Sequence, residues 1–177
     1  MTDGAPSRRA VLATAVRGVS LASVPMALAA CRGVQVLGTP PPPPADIRAL
    51  SAAITAEKQM LARFAAAIAQ LPAGQTDALA AVRAVQAEHA AHLTELRSRL
   101  VEPAGHAPAA PRPVTIPAGS STSSILQALE QAEQAASDRL IGQLGALPPA
   151  LAQLFASIAA SEATHVPYFQ QVRVTAP

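Results

Sequence analysis

The sequence predicts an all-α fold, a four-helix bundle of two antiparallel hairpins joined by one long crossover. Three observations carry this. In four separate runs between residues 46 and 173 the apolar residues recur in steps of three, four, seven or eleven, the spacing of helix faces. Two breaks between runs, Pro72-Ala73-Gly74 and Gly145 to Pro149, are short turns that make neighbouring helices antiparallel. The third break, Val101 to Ser121, is about 20 residues rich in Pro, Ala and Gly and has no periodicity. Helices of roughly 24 residues are about 36 Å long at 1.5 Å per residue, a distance this segment can span. Helices one and three are expected to run roughly parallel, with Val101–Ser121 crossing the length of the bundle.

The first helix is expected to begin at Asp46 as N-cap and to carry the face Ile47, Leu50, Ile54, Leu61, Phe64, Ile68 and Leu71. Thr76 or Asp77 caps the second, whose face is Leu79, Val82, Val85, Leu93, Leu96 and Leu100; Pro103 ends it. Ser120 to Ser124 offers caps for the third, with Ile125, Leu126, Leu129, Leu140, Ile141 and Leu144 on its apolar side. The fourth carries Leu151, Phe155, Ile158, Phe169 and Val172. The aromatic residues are Phe64, Phe155, Phe169 and Tyr168, so close packing of alanine-rich faces around a thin core is expected.

The N-terminal region reads as a targeting segment and is excluded from the fold. Ser7-Arg8-Arg9-Ala10-Val11-Leu12 resembles a twin-arginine export signal, with Val11 where Phe is usual. The apolar run Val19 to Ala30 contains Pro25 and is too short for a spanning helix of about 20 residues. It ends in Leu28-Ala29-Ala30-Cys31, which resembles the lipobox of bacterial lipoproteins, where the cysteine becomes the lipidated N-terminus. The expected organisation is therefore a lipoprotein signal over 1–30, a lipidated Cys31 with a Pro-rich linker to residue 45, and a helical domain over 46–177. Pro40 to Pro44 is a stiff spacer between membrane and domain. The expected location is the extracytoplasmic face of the cell membrane, held by the lipid.

Removing residues 1–30 takes away Arg8, Arg9, Arg17 and Asp3. Ten basic and ten acidic side chains remain of the 13 and 11 in the whole chain. The basic pI thus belongs to the signal and implies no nucleic-acid partner. With Cys31 the single cysteine, the domain has no disulfide. Among the motifs, a nucleophile elbow, a Gly-rich phosphate loop and a Cys cluster are all missing, which removes hydrolase and nucleotide-binding readings.

The apolar seams are interrupted at one depth. Glu57 falls between Ile54 and Leu61; His89 and His92 lie in the register of Val82, Val85 and Leu96; Glu133 lies between Leu129 and Leu140, with Glu130 at the edge of that face; Glu162 and His165 lie between Ile158 and Phe169. His106 is in the long connection. Glu162-Ala-Thr-His165 puts a carboxylate and an imidazole on one helical face, close enough to hold one ion. Glu57 to His89 and Glu130 to Glu162 are both 32 residues apart. Aligning Glu88-His89-Ala-Ala-His92-Leu93 with Ser161-Glu162-Ala-Thr-His165-Val166 gives an internal repeat of two hairpins. That repeat favours Glu130 as the helix-three member, whereas the apolar stripe favours Glu133.

This pattern, over residues 46–173, resembles the ferritin-like family of di-metal carboxylate bundles, which takes a Glu from each of two helices and Glu-x-x-His from each of the others. With the signal, the lipobox, "EHAAHL" and "ASEATH", the chain looks most like ferritin-like lipoproteins of high-GC bacteria. The resemblance implies a metal set of Glu57, His92, Glu162, His165 and one of Glu130 or Glu133, with His89 standing where the family pattern has Glu. It implies iron first; the nitrogen-rich set also suits Mn, Zn or Cu. Tyr168, one turn beyond His165, is a candidate donor to the ligands or a packing residue. Two functions fit: metal handling or redox chemistry at a site of one or two ions, or a structural or partner-binding lipoprotein, a homo-oligomer among the options, whose Glu and His pair with one another and hold no metal. Catalysis is left open.

Overall fold

The computed structural model describes residues 44–101, 112–114 and 116–175. The candidate export signal with Arg8 and Arg9, the lipidation candidate Cys31 and the loop residue His106 lie outside them. The described residues form four α-helices and no strand: α1 (Ala45–Gln70), α2 (Thr76–Arg99), α3 (Thr122–Ile141) and α4 (Pro149–Thr175), with a single 3₁₀ turn at Leu144–Ala146 before α4. None of these helices is long and apolar enough to cross a membrane.

The helix ends differ from expectation by a residue or two. Pro44 precedes α1 without a side-chain cap, and Asp46 lies inside the first turn, where its charge faces the helix dipole. Gln75 takes the same place before α2, with Asp77 in the first turn. At α3 the expected serine cap is present: Ser124 N–H donates to Ser121 Oγ at 3.1 Å. Gly119, with φ of 77°, supplies the left-handed turn leading into that cap. α3 stops at Ile141, earlier than the apolar pattern implied. Ile141 is 54 % exposed: it follows the buried Leu140 and so lies about 100° round the helix from it. α4 opens on Pro149, a favourable first-turn position, and continues through Pro167.

The core has two apolar ends. One is built on Phe64, Ala67, Ala78, Val82, Val85, Ile125, Leu126, Leu129 and Phe169. The other is built on Leu50, Ile54, Leu93, Leu96, Leu140, Phe155 and Ile158. Alanines 53, 67, 78, 81, 136 and 159 are all buried, which lets the helices approach closely. Ser137, also buried, donates to the Ala159 carbonyl at 2.8 Å and ties α3 to α4.

The two ends also orient the helices. α1 runs from Leu50 and Ile54 towards Phe64, and α4 from Phe155 towards Phe169. α2 and α3 run the other way, from Val82 to Leu96 and from Leu126 to Leu140. Helices α1 and α3 are therefore antiparallel, contrary to the expectation that they run parallel. The reason is geometric. α2 ends at Leu100, against the Phe155 end, whereas Ile116 packs on the Phe64 end. Between them, the carbonyl of Arg112 accepts a hydrogen bond from Gln59 Nε2 at 2.9 Å, midway along α1. A connection that travels the length of the bundle returns the chain to the end where α2 began, so α3 must repeat the direction of α2.

Candidate metal centre

The polar residues fill the layer between the two apolar ends. Glu57, His89, Glu133, Glu162 and His165 are buried there, one or more from every helix. Each lies on the inward stripe of its helix, a multiple of three or four residues from a core Leu, Ile or Phe, so burying the stripe buries the polar group with it. A buried charge without a partner costs several kcal/mol, and most of these groups have partners.

The partners form one continuous chain. His89 Nδ1 lies 2.8 Å from Glu57 Oε2, and its Nε2 lies 2.9 Å from Glu133 Oε1. The other Glu133 oxygen is 3.0 Å from His165 Nδ1, and His165 Nε2 is 3.0 Å from Glu88 Oε2. Glu88 also accepts from Ser161 Oγ at 3.3 Å and is half exposed, so the chain runs from the buried Glu57 to the surface. Glu88 is the member that sequence reasoning missed. It precedes His89 and faces outward on α2, and a search for inward-facing polar residues passes over it. Its signal was its own place in "EHAAHL".

Electrostatics follow from this alternation. Burial alone would depress His89, but its hydrogen bonds to Glu133 and Glu57 carry it up to about 10. His165 is raised in the same way, against its burial, by Glu133 and Glu88. Burial pushes Glu57 and Glu133 upward, yet their histidine partners bring both below the usual carboxylate range. The hydrogen bond from His165 lowers Glu88.

Two groups in the layer are left over. Glu162 is 3 % exposed, and its Oε2 has no hydrogen-bond partner. Burial, and then the neighbouring Glu57 carboxylate, push it up to about 8. His92 Nδ1 is likewise buried without a hydrogen bond, 3.6 Å from Glu57 Oε1.

Glu130, the choice of the sequence repeat, is not brought to this layer. Its carboxylate receives Arg173 Nε at 2.8 Å, so Glu133 is the α3 member of the cluster. The repeat was one turn out of register: the hydrogen-bonded pairs Glu57–His89 and Glu133–His165 are each 32 residues apart. Tyr168 is 41 % exposed and stacks near Phe169 at 6.0 Å, outside the network.

Two groups of three have donor atoms within 4.8 Å of one another and the right chemistry for an ion: Glu57, His89 and His92, and His89, Glu133 and His165. These buried His and Glu groups can hold a metal ion. Comparison with known proteins gives no match: no family model, curated protein or solved structure aligns with the chain.

Proposed function

We propose that the protein is a lipid-anchored, extracytoplasmic bundle of the ferritin-like kind that holds one transition-metal ion in its core, for metal handling or redox chemistry. The observation that carries this reading is the pair of orphans. In a layer where every other buried polar group is hydrogen-bonded, Glu162 Oε2 and His92 Nδ1 are buried beside Glu57 without a hydrogen bond. Native interiors rarely leave such atoms unsatisfied, and unmodified protein chemistry offers an ion as one remedy.

Glu57, His89, His92 and Glu162 are the residues that would hold the ion. Glu133, accepting from Nε2–H of His89, would fix the tautomer that turns the Nδ1 lone pair towards Glu57 and His92, the usual role of a carboxylate behind a ligating histidine. Ligand atoms about 2.1 Å from one ion sit about 3.0–3.4 Å apart, and the two spacings at Glu57, 2.8 Å to His89 and 3.6 Å to His92, fall on either side of that range. A neutral imidazole has one lone pair, so His89 can serve only one of its two groups at a time. That supports one ion, where the ferritin-like pattern with Glu at this place would take two. Two carboxylates and two imidazoles suit Fe, Mn or Zn, and Cu also. The paired hairpins, the lengthwise connection and the common direction of α2 and α3 support the ferritin-like assignment.

A second reading has its own observation. The chain from Glu57 to Glu88 satisfies itself without an ion, as a structural module would require. Thermal melting separates the two. A metal that binds the folded state adds about 2.7 kcal/mol at 100 times its Kd. The wild type should melt higher with Fe(II), Mn(II) or Zn(II) than with chelator, and Glu162→Leu with His165→Leu should abolish the difference. A wild type indifferent to every metal, beside a double variant that melts higher, would establish the structural module instead.

A further inference from the structure

A cavity of about 530 Å³ opens between α1 and α3 and reaches the polar layer. Its walls are alanines at 52, 53 and 56 on one helix and 132, 135 and 136 on the other. A larger side chain at the inward-facing Ala53, Ala132 or Ala136 would narrow it. Its inner end is formed by Glu57 and Glu162, and the buried, unpartnered Oε2 belongs to the latter. Arg63, Arg112 and Arg139 also line it. None of the three is ion-paired among the described residues, and Arg63 Nε is buried with no hydrogen-bond partner. The Gln59 bond to the Arg112 carbonyl fixes the connecting segment beside the opening.

The charge is divided along the cavity. Arg112 and Arg139 are exposed at its rim, Arg63 is half-buried with its Nε fully covered, and Glu57 and Glu162 are buried at its floor, where the Arg139 charge acts on Glu162. Arg63 is six positions beyond Glu57, about 9 Å further along α1. An anion is attracted to the arginines, and an arginine fork binds a carboxylate in two places. A second negative charge at the far end would meet Glu57 and Glu162. The volume lies in the range of small-molecule sites, which are mostly apolar with a few placed polar groups.

We propose that this cavity binds a small monocarboxylic acid with an unbranched apolar chain, its carboxylate on Arg63 and Arg112 and its chain along the alanine walls towards Glu57 and Glu162. The ligand is thereby presented end-on to the candidate metal centre. That last point rests on the metal reading; the binding itself does not.

The test uses the full chain with chelator present, titrated calorimetrically with hexanoate, hexan-1-ol, hexylammonium and adipate. Hexanoate should bind saturably and at least about tenfold tighter than hexanol, the weight of one charge-assisted contact. Hexylammonium and adipate should not bind. Arg63→Gln should remove that tenfold preference, and Ala132→Leu should abolish binding of both hexanoate and hexanol. Saturable binding with equal affinity for acid and alcohol, binding unchanged in Arg63→Gln, or no binding of hexanoate to the wild type would each overturn the proposal. Metal is absent throughout, so these outcomes are independent of the melting experiment that tests the ion.

Discussion

Without metal, the protein should lose stability as pH rises from 5.5 to 8.5, the reverse of a domain held by ordinary carboxylate pairs. Two groups drive this. Glu162 keeps its proton up to about 8 when folded, against 4.5 for its ordinary value. Between those values the folded chain binds one proton more than the unfolded chain, so stability falls as pH rises. His89 is raised to about 10 from 6.5; its contribution is complete below 6.5 and is lost as pH climbs through about 10. Glu57 and Glu133 are lowered, so theirs is complete above 4.5 and is lost only on acidification. At 1.36 kcal/mol per unit, Glu162 loses about 3 kcal/mol between pH 5.5 and 8, and His89 about 3 between 6.5 and 8.5. The sum, on the order of 6 kcal/mol as an upper bound, is a large share of the 5–15 typical of a domain. A fall in Tm of about 10 °C or more should follow. Circular-dichroism melting in chelator at half-unit pH steps reads it directly. Glu162→Gln should flatten the fall by about half and melt higher than wild type at pH 8.5. Saturating metal should oppose the trend, because ligation displaces protons and tightens as pH rises. A metal-free Tm that is flat or rising over this window, or a Glu162→Gln slope equal to wild type, would refute the reasoning.

Two further expectations follow from the placement of other residues. Glu130→Gln should leave any metal-dependent rise in Tm intact, because Glu130 is engaged with Arg173, whereas Glu133→Gln should weaken metal binding by about 10- to 100-fold through loss of the His89 partner, read by metal titration. Cys31→Ser should leave the helical domain folded and move the protein from the membrane to the soluble fraction; a variant that still sediments with membranes would remove the lipobox reading.

The helices and the polar layer were legible because both rest on the same periodicity. A residue such as His89, seven before Leu96 and four after Val85, shares their face whatever the tertiary context. What the pattern could not decide was everything that depends on a second helix. Glu130 and Glu133 lie on one face, three apart, and only the position of Arg173 on α4 determines which is diverted. Glu88 points outward by its own helix's period and joins the network only because His165 reaches it from α4. The end of α3, at Gly142 in ordinary helical conformation ahead of a 3₁₀ turn, is not signalled by an apolar stripe that continues to Leu144.

The corrected register of the repeat bears on function. Superposing Glu57 and His89 on Glu133 and His165 shifts one half on the other by 76 residues, and these four make the bonded core of the network. Under that shift His92 corresponds to Tyr168, which is 41 % exposed, and Glu162 corresponds to Gln86, which is half-buried. The two polar groups that break the symmetry are the same two whose buried atoms lack a hydrogen bond. A duplicated hairpin kept only for structure needs its symmetric pairs, each imidazole between carboxylates, and gains nothing from an added buried carboxylate that burial pushes up to about 8. His92 and Glu162 are therefore departures from the repeat, brought from α2 and α4 beside Glu57. Their convergence, more than the number of histidines and glutamates, is the observation on which the proposed metal site rests.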